Sequence, residues 1–293
     1  MLWTVAVVLL AGYLAATLVL TYFVHRLPRR PVVDSPDWGQ VLDTRVPTRG
    51  GGRLEVWRIV PEGEVRGTVL MIHGWSRNRD RMVARARHFA RQGMITVLFS
   101  ARDHGRSSPF RFMNAAEFAD DALAVMDWLG HPVILYGHSA GAGGAIIAAS
   151  RRPEQVALLF LEACYADSRE GLLSLYRWFN PLFGRVFGPM ILNWMNLFYR
   201  FRMKAVSPER LAPRLSMPAM VIHGAEDRRF PAAFARRLHR AFPRGRARLL
   251  VVPGAGHSES SHHPQYPEAV AEFLAVHPEA CAATIPPAGR TWR

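Results

Sequence analysis

The pentapeptide Gly137-His138-Ser139-Ala140-Gly141 stands directly after the apolar run Pro132-Val133-Ile134-Leu135-Tyr136 and directly before the helix-forming residues 142–150. An apolar run of that length reads as a buried strand, and the small residues flanking Ser139 permit a turn too tight for larger side chains. Strand, turn and helix in this order put the serine hydroxyl at the carboxyl end of a strand, over the start of a helix. That is where a nucleophilic serine belongs. A Gly-rich turn with a capping serine has the same local pattern, so the reading depends on what accompanies it.

Two more apolar runs lead into polar groups. Residues 219–222 precede His223-Gly224-Ala225-Glu226-Asp227, and residues 249–252 precede Pro253-Gly254-Ala255-Gly256-His257. A serine hydroxyl is a weak nucleophile until a base takes its proton, and a carboxylate fixes the tautomer of that base. Ser139, Asp227 and His257 supply these three types in the order Ser, Asp, His. Glu162 follows the run at 156–161 and is the rival to Asp227 as the acid. Glu226 reads as surface charge. His262 and His263 lie on a polar, Ser-rich stretch without the Cys or carboxylate spacing of a ligand set, so no metal and no cofactor are implied.

Upstream, the strand-like residues 68–72 end in His73-Gly74-Trp75-Ser76, and Arg102-Asp103-His104-Gly105-Arg106-Ser107 follows another such run. With these motifs in this order, residues 54–277 resemble the α/β-hydrolases, in the branch of monoglyceride lipases, carboxylesterases and serine aminopeptidase-like enzymes. The resemblance implies a mostly parallel sheet with helices on both faces, an oxyanion hole formed by the N–H groups of Trp75 and Ala140, and hydrolysis of a small-molecule carboxylic ester. Thioesterase and aminopeptidase-like activities, and a catalytically silent scaffold, remain alternatives on the same fold. Asp103 stands where the family's loop has glycine, which puts that turn's geometry in question.

The resemblance also implies that residues 165–207 form a lid over the nucleophile. That segment carries Trp178, Phe179, Phe183, Phe187, Trp194, Phe198, Tyr199 and Phe201 among arginines, with breaks expected at Pro181, Gly184, Gly188 and Pro189. Such a lid suits an apolar acyl group delivered from a membrane surface, although aromatic stripes also simply pack.

Residues 2–24 carry no charge, and as a helix they extend roughly 34 Å, enough to cross a bilayer's hydrocarbon core. Arg26, Arg29 and Arg30 follow, so the positive-inside rule places the body in the cytoplasm. A cleaved signal peptide is the alternative, but no basic residue precedes the run and no small-residue cleavage site follows it. Membrane lipid is thus an expected partner. The net charge of +14 comes from 37 basic residues of which only Lys204 is lysine, and no nucleic-acid-binding signature accompanies it, so nucleic acid is not expected. Residues 25–40 read as a linker, 41–277 as the folded domain and 278–293 as a disordered tail. Gly50-Gly51-Gly52 reads as a hairpin turn, and Cys164 and Cys281 do not make a disulfide scaffold.

Overall fold

Eight strands form one sheet in the order β1-β2-β4-β3-β5-β6-β7-β8 in the computed structural model, which describes residues 1–24, 26, 28–287 and 289. They are β1 (Gln40–Pro47), β2 (Arg53–Val60), β3 (Gly67–Ile72), β4 (Met94–Phe99), β5 (Val133–His138), β6 (Val156–Glu162), β7 (Ala219–Gly224) and β8 (Ala247–Val252). β1 and β2 form an antiparallel hairpin whose turn includes Arg49–Gly51, as the glycine trio predicts. β2 runs antiparallel to β4, and every pairing from β4 to β8 is parallel. β3, β4, β5 and β7 are buried at every residue, because helices cover both faces of the sheet.

One face packs on α2 (Val83–Ala90), α10 (Gln265–Ala275) and the short α11 (Pro278–Ala282). The other packs on α3 (Ala115–Leu129), α4 (Ala140–Arg151), α8 (Pro208–Leu211) and α9 (Ala232–Ala241). Between β6 and β7 the chain inserts α5 (Ser168–Phe179), α6 (Pro181–Val186) and α7 (Gly188–Phe198). The insertion's ends are stitched together, since the Ser168 N–H donates to Ser207 Oγ and Ser207 Oγ–H donates to Asp167, each at 3.0 Å. Gly184 does not break the chain as expected. It sits inside α6, where a Cβ would strike the backbone of Arg177.

The amino-terminal apolar run is one helix, α1 (Leu2–Phe23). Within the segment read as a linker, residues 28–38 are held against the domain. Arg29 donates to the Ser107 carbonyl at 2.8 Å, Asn78 Nδ2 donates to the carbonyls of Arg30 and Pro31, and Trp38 joins the apolar core. His25 and Leu27 of this segment lie outside the described residues. The tail reading is corrected for residues 278–284, because α11 forms there, Cys281 is buried, and Thr284 Oγ1 accepts from the Thr68 N–H at the start of β3. Residues 288 and 290–293 lie outside the described residues.

Candidate active site

β5 ends at His138 and α4 begins at Ala140, leaving Ser139 alone at the turn with φ +58° and ψ −120°. A non-glycine residue in that region costs on the order of 1–3 kcal/mol and persists only where its surroundings impose it. Here they do. A Cβ at Gly137 would come within 2.5 Å of Ala142 Cα, and one at Gly141 would strike the carbonyls of Ile72 and His73, so strand, helix and β3 meet without room for larger residues.

His257 lies in the turn after β8. Its Nε2 accepts from Ser139 Oγ–H at 2.9 Å, and its Nδ1–H donates to Asp227 Oδ2 at 2.7 Å. Asp227 follows β7 and is tightly held, as its Oδ1 accepts the backbone N–H groups of Arg229 at 2.8 Å and Phe230 at 3.0 Å. Burial pushes the Asp227 carboxyl up, but hydrogen bonds from His223 and His257 outweigh it and hold the pKa well below the usual carboxylate range. Asp227 therefore stays ionised beside the imidazole. Phe230 packs edge-on against His257 with ring centroids 5.2 Å apart, shielding one side of the pair.

Glu162 is not positioned as the acid of this chain. It is fully buried at the end of β6, paired with the Arg85 guanidinium, and accepts the Tyr136 hydroxyl at 2.6 Å. Burial raises its pKa, but the Arg85 and His138 charges together with hydrogen bonds from Arg85 and Tyr136 outweigh that and leave it at about 2. The network does reach the site by another route. Arg85 donates to the Ser258 carbonyl at 3.2 Å, and His138 Nε2–H donates to the His257 carbonyl at 3.0 Å, so both backbone oxygens of the histidine turn are held from below.

Ala140 directly follows Ser139, and Trp75 directly follows Gly74. Ala140 opens α4, where the first N–H groups of a helix have no intrahelical acceptor. Gly74 brings the Trp75 loop close, since a Cβ there would stand 3.1 Å from Ser139 Cβ. Two buried histidines brace this loop. His73 Nε2 accepts the Ala101 N–H at 2.9 Å, and His104 Nε2 accepts the Ser76 N–H at 3.2 Å. Burial keeps both below the ordinary histidine range and so neutral, as acceptance at Nε2 requires. Asp103 takes φ +62°, a left-handed conformation that Asp tolerates better than most residues, so the loop turns as glycine would allow.

The insertion reaches the site through α5, where Ser174 Oγ–H donates to the Arg229 carbonyl at 2.6 Å and Leu175 packs with Tyr165 and Phe230. Its aromatics divide. Phe183, Phe187 and Tyr199 pack inside the insertion, whereas Trp178, Phe179, Phe198 and Phe201 face outward. Cys164 is buried, which pushes its thiol up and away from nucleophilic use. Among the described residues no group of three or more His, Cys, Asp or Glu is placed to hold a metal ion.

Residues 69–273 match the model of the alpha/beta hydrolase family. The chain belongs to that family, on its esterase- and lipase-like branch. It is similar to the monoacylglycerol lipase of Mycolicibacterium smegmatis, 24% identical, with 71% of this chain and 87% of that protein covered. Among solved structures it resembles the Pyrococcus furiosus esterase Pf2001, with a TM-score of 0.68 at 17% identity, covering 86% of this chain and 98% of that one. It also resembles Est1E of Butyrivibrio proteoclasticus in a ferulic acid complex, with a TM-score of 0.63 at 19% identity, covering 80% of this chain and 98% of that one. At such identities the structural likenesses speak for the fold alone.

Proposed function

We propose that this chain is a serine hydrolase of carboxylic esters with an apolar acyl group, acting through an acyl-enzyme. The observation that carries the reading is the continuous hydrogen-bonded chain from Ser139 Oγ through His257 to an ionised Asp227. Ser139 Oγ attacks the ester carbonyl carbon while His257 Nε2 takes its proton, and Asp227 stabilises the imidazolium. The N–H groups of Trp75 and Ala140 receive the carbonyl oxygen as it becomes an oxyanion. Collapse expels the alcohol, which takes the proton from His257. Water then attacks the acyl-enzyme with His257 again as base, and Ser139 recovers its proton as the acid leaves. The monoacylglycerol lipase of M. smegmatis and the exposed aromatics of the insertion support an apolar acyl group.

The insertion acts as the lid over this site, and α1 anchors the chain in a membrane with the catalytic domain in the cytoplasm. Its length and a mean hydropathy of 2.2 over 18 of its residues support spanning, and the arginines that follow support the orientation. A panel of p-nitrophenyl esters, thioesters and aminoacyl amides tests the chemistry: hydrolysis of medium-chain esters that is lost in Ser139→Ala is expected. Absence of ester turnover across the panel, or turnover that survives the substitution, contradicts the proposal. Carboxyl-terminal reporter fusions test the topology, with cytoplasmic fluorescence expected and periplasmic alkaline phosphatase activity against it.

A further inference from the structure

Helix α1 docks on the insertion with the wrong face for a contact made in water. Thr17 and Thr21 are buried, with Tyr13, Leu14 and Leu20 half-buried on the same side, whereas Leu18, Val19 and Phe23 on the same turns are 42%, 54% and 59% exposed. The buried stripe repeats at i, i+4 and i+8, one face of a helix. The hydrophobic effect would turn a docked helix the other way, with leucine and valine inside and threonine out. In hydrocarbon that force between helices vanishes. Helices then associate through small and hydroxyl-bearing residues and interhelical hydrogen bonds, while apolar side chains face the surrounding lipid.

Beside the apolar packing of Leu20 and Val24, the contacts on α7 and at the end of α6 include this second kind. Trp194 Nε1–H donates to Thr17 Oγ1 at 3.1 Å, the Tyr13 hydroxyl donates to the Val186 carbonyl at 2.7 Å, and the Tyr13 ring stacks on Phe187. Thr17 and Thr21 turn their own hydroxyl hydrogens back to carbonyls of α1, so both hydroxyls are satisfied within the seam. Length makes the same point. With 22 residues, α1 is about 33 Å long, so crossing a hydrocarbon core of about 30 Å takes nearly the whole helix. If α1 spans, the turns that carry Tyr13 to Thr21 lie at membrane depth, and the α6–α7 end of the insertion lies beside them.

That end is dressed for lipid. Phe179, Leu182 and Val186 are 77%, 70% and 43% exposed, and Pro181 to Phe198 contain no carboxylate and one charge, Arg185, whose long stem can carry its guanidinium to the headgroups. From the inverted seam, the length of α1 and this apolar end, we propose that α1 and the insertion form a single membrane-inserted unit. The Tyr13–Thr17–Thr21 face latches the α6–α7 end of the lid into the acyl region of the bilayer. The inference rests on the reading of α1 as a membrane-spanning helix and deepens it, because the bilayer then contacts the lid itself and not only a tether.

Site-specific labelling of the full-length protein tests it in vesicles of phosphatidylcholine and phosphatidylglycerol. Cys164 and Cys281 are buried, so an environment-sensitive thiol fluorophore goes to an introduced cysteine. Leu9→Cys reports α1, Leu182→Cys reports the lid end, and Val276→Cys, exposed beyond α10 at the amino-terminal edge of the strands, is the control. Nitroxide-bearing lipid acyl chains should quench positions 9 and 182 several-fold more than 276. Quenching at 9 with position 182 as unquenched as the control overturns the inference and leaves the anchor standing. No quenching at any of the three overturns both. The readout needs no turnover, so it is independent of the hydrolase assignment.

Discussion

Replacing Asp227 by Asn separates orientation from charge at the candidate site. Asp227 Oδ1 holds two backbone N–H groups at 2.8 and 3.0 Å, and these fix which way an amide would sit. The Asn oxygen would keep those bonds, so its NH2 would take the place of Oδ2, 2.7 Å from His257 Nδ1. A donor there requires His257 to present a lone pair at Nδ1. The neutral ring then carries its proton on Nε2 and no longer accepts from Ser139. Loss of the orienting acid in Ser-His-Asp proteases costs about 10⁴ in turnover, equivalent to about 5 kcal/mol of transition-state stabilisation. Steady-state hydrolysis of a short p-nitrophenyl ester should fall by on the order of 10³ to 10⁴ in kcat with the fold retained by circular dichroism. Glu162→Gln, measured per folded molecule, should change kcat far less. A loss below tenfold for Asp227→Asn, or a larger loss for Glu162→Gln, refutes this account of the acid.

The Arg85–Glu162 pair yields a stability prediction. Glu162→Gln leaves a buried guanidinium uncompensated and should cost about 3–5 kcal/mol by urea denaturation, while the double variant Arg85→Met/Glu162→Gln recovers much of that loss. The Glu162 pKa drops from 4.5 to about 2 on folding, so its contribution is complete above about pH 4.5 and disappears as pH falls through about 2. Glu162→Gln should flatten the acid limb of the stability curve in that window; an unchanged limb would count against the pairing. Gly137→Val should abolish folding or labelling by active-site reagents, because its side chain would enter the backbone at Gly141 and Ala142, and a fully active variant contradicts the turn geometry. Removing residues 1–24 should keep short-ester hydrolysis and lower the melting temperature of the lid as seen by limited proteolysis, since Phe187 and Trp194 lose their cover; unchanged proteolysis within residues 168–201 argues against the docking of α1.

Much of the candidate site is legible in the sequence because each element of it is local. Gly137 to Gly141, Asp227 and His257 each follow a short apolar run, and a strand end is a place that patterning identifies. The supporting residues are invisible for the opposite reason. Arg85 and Glu162 are joined only when α2 packs beneath β6, and His138 looks like a free position inside its motif until the His257 turn arrives above it. The same holds at the ends of the chain. Residues 28–38 have the composition of a linker, yet Asn78 and Asp80 bind their backbone, and α11 is too short for a periodic signal although Cys281 is buried by it. The docking face of α1 includes two threonines and a tyrosine in an apolar run, where hydropathy alone shows no face.

Covalent trapping at Ser139 tests the central claim most directly. Full-length protein treated with a fluorophosphonate and digested for mass spectrometry should carry the adduct on Ser139, in stoichiometric yield, and Ser139→Ala should take up none while keeping its fold. An adduct on any other residue, or labelling that persists in Ser139→Ala, would contradict the assignment of this serine as the nucleophile.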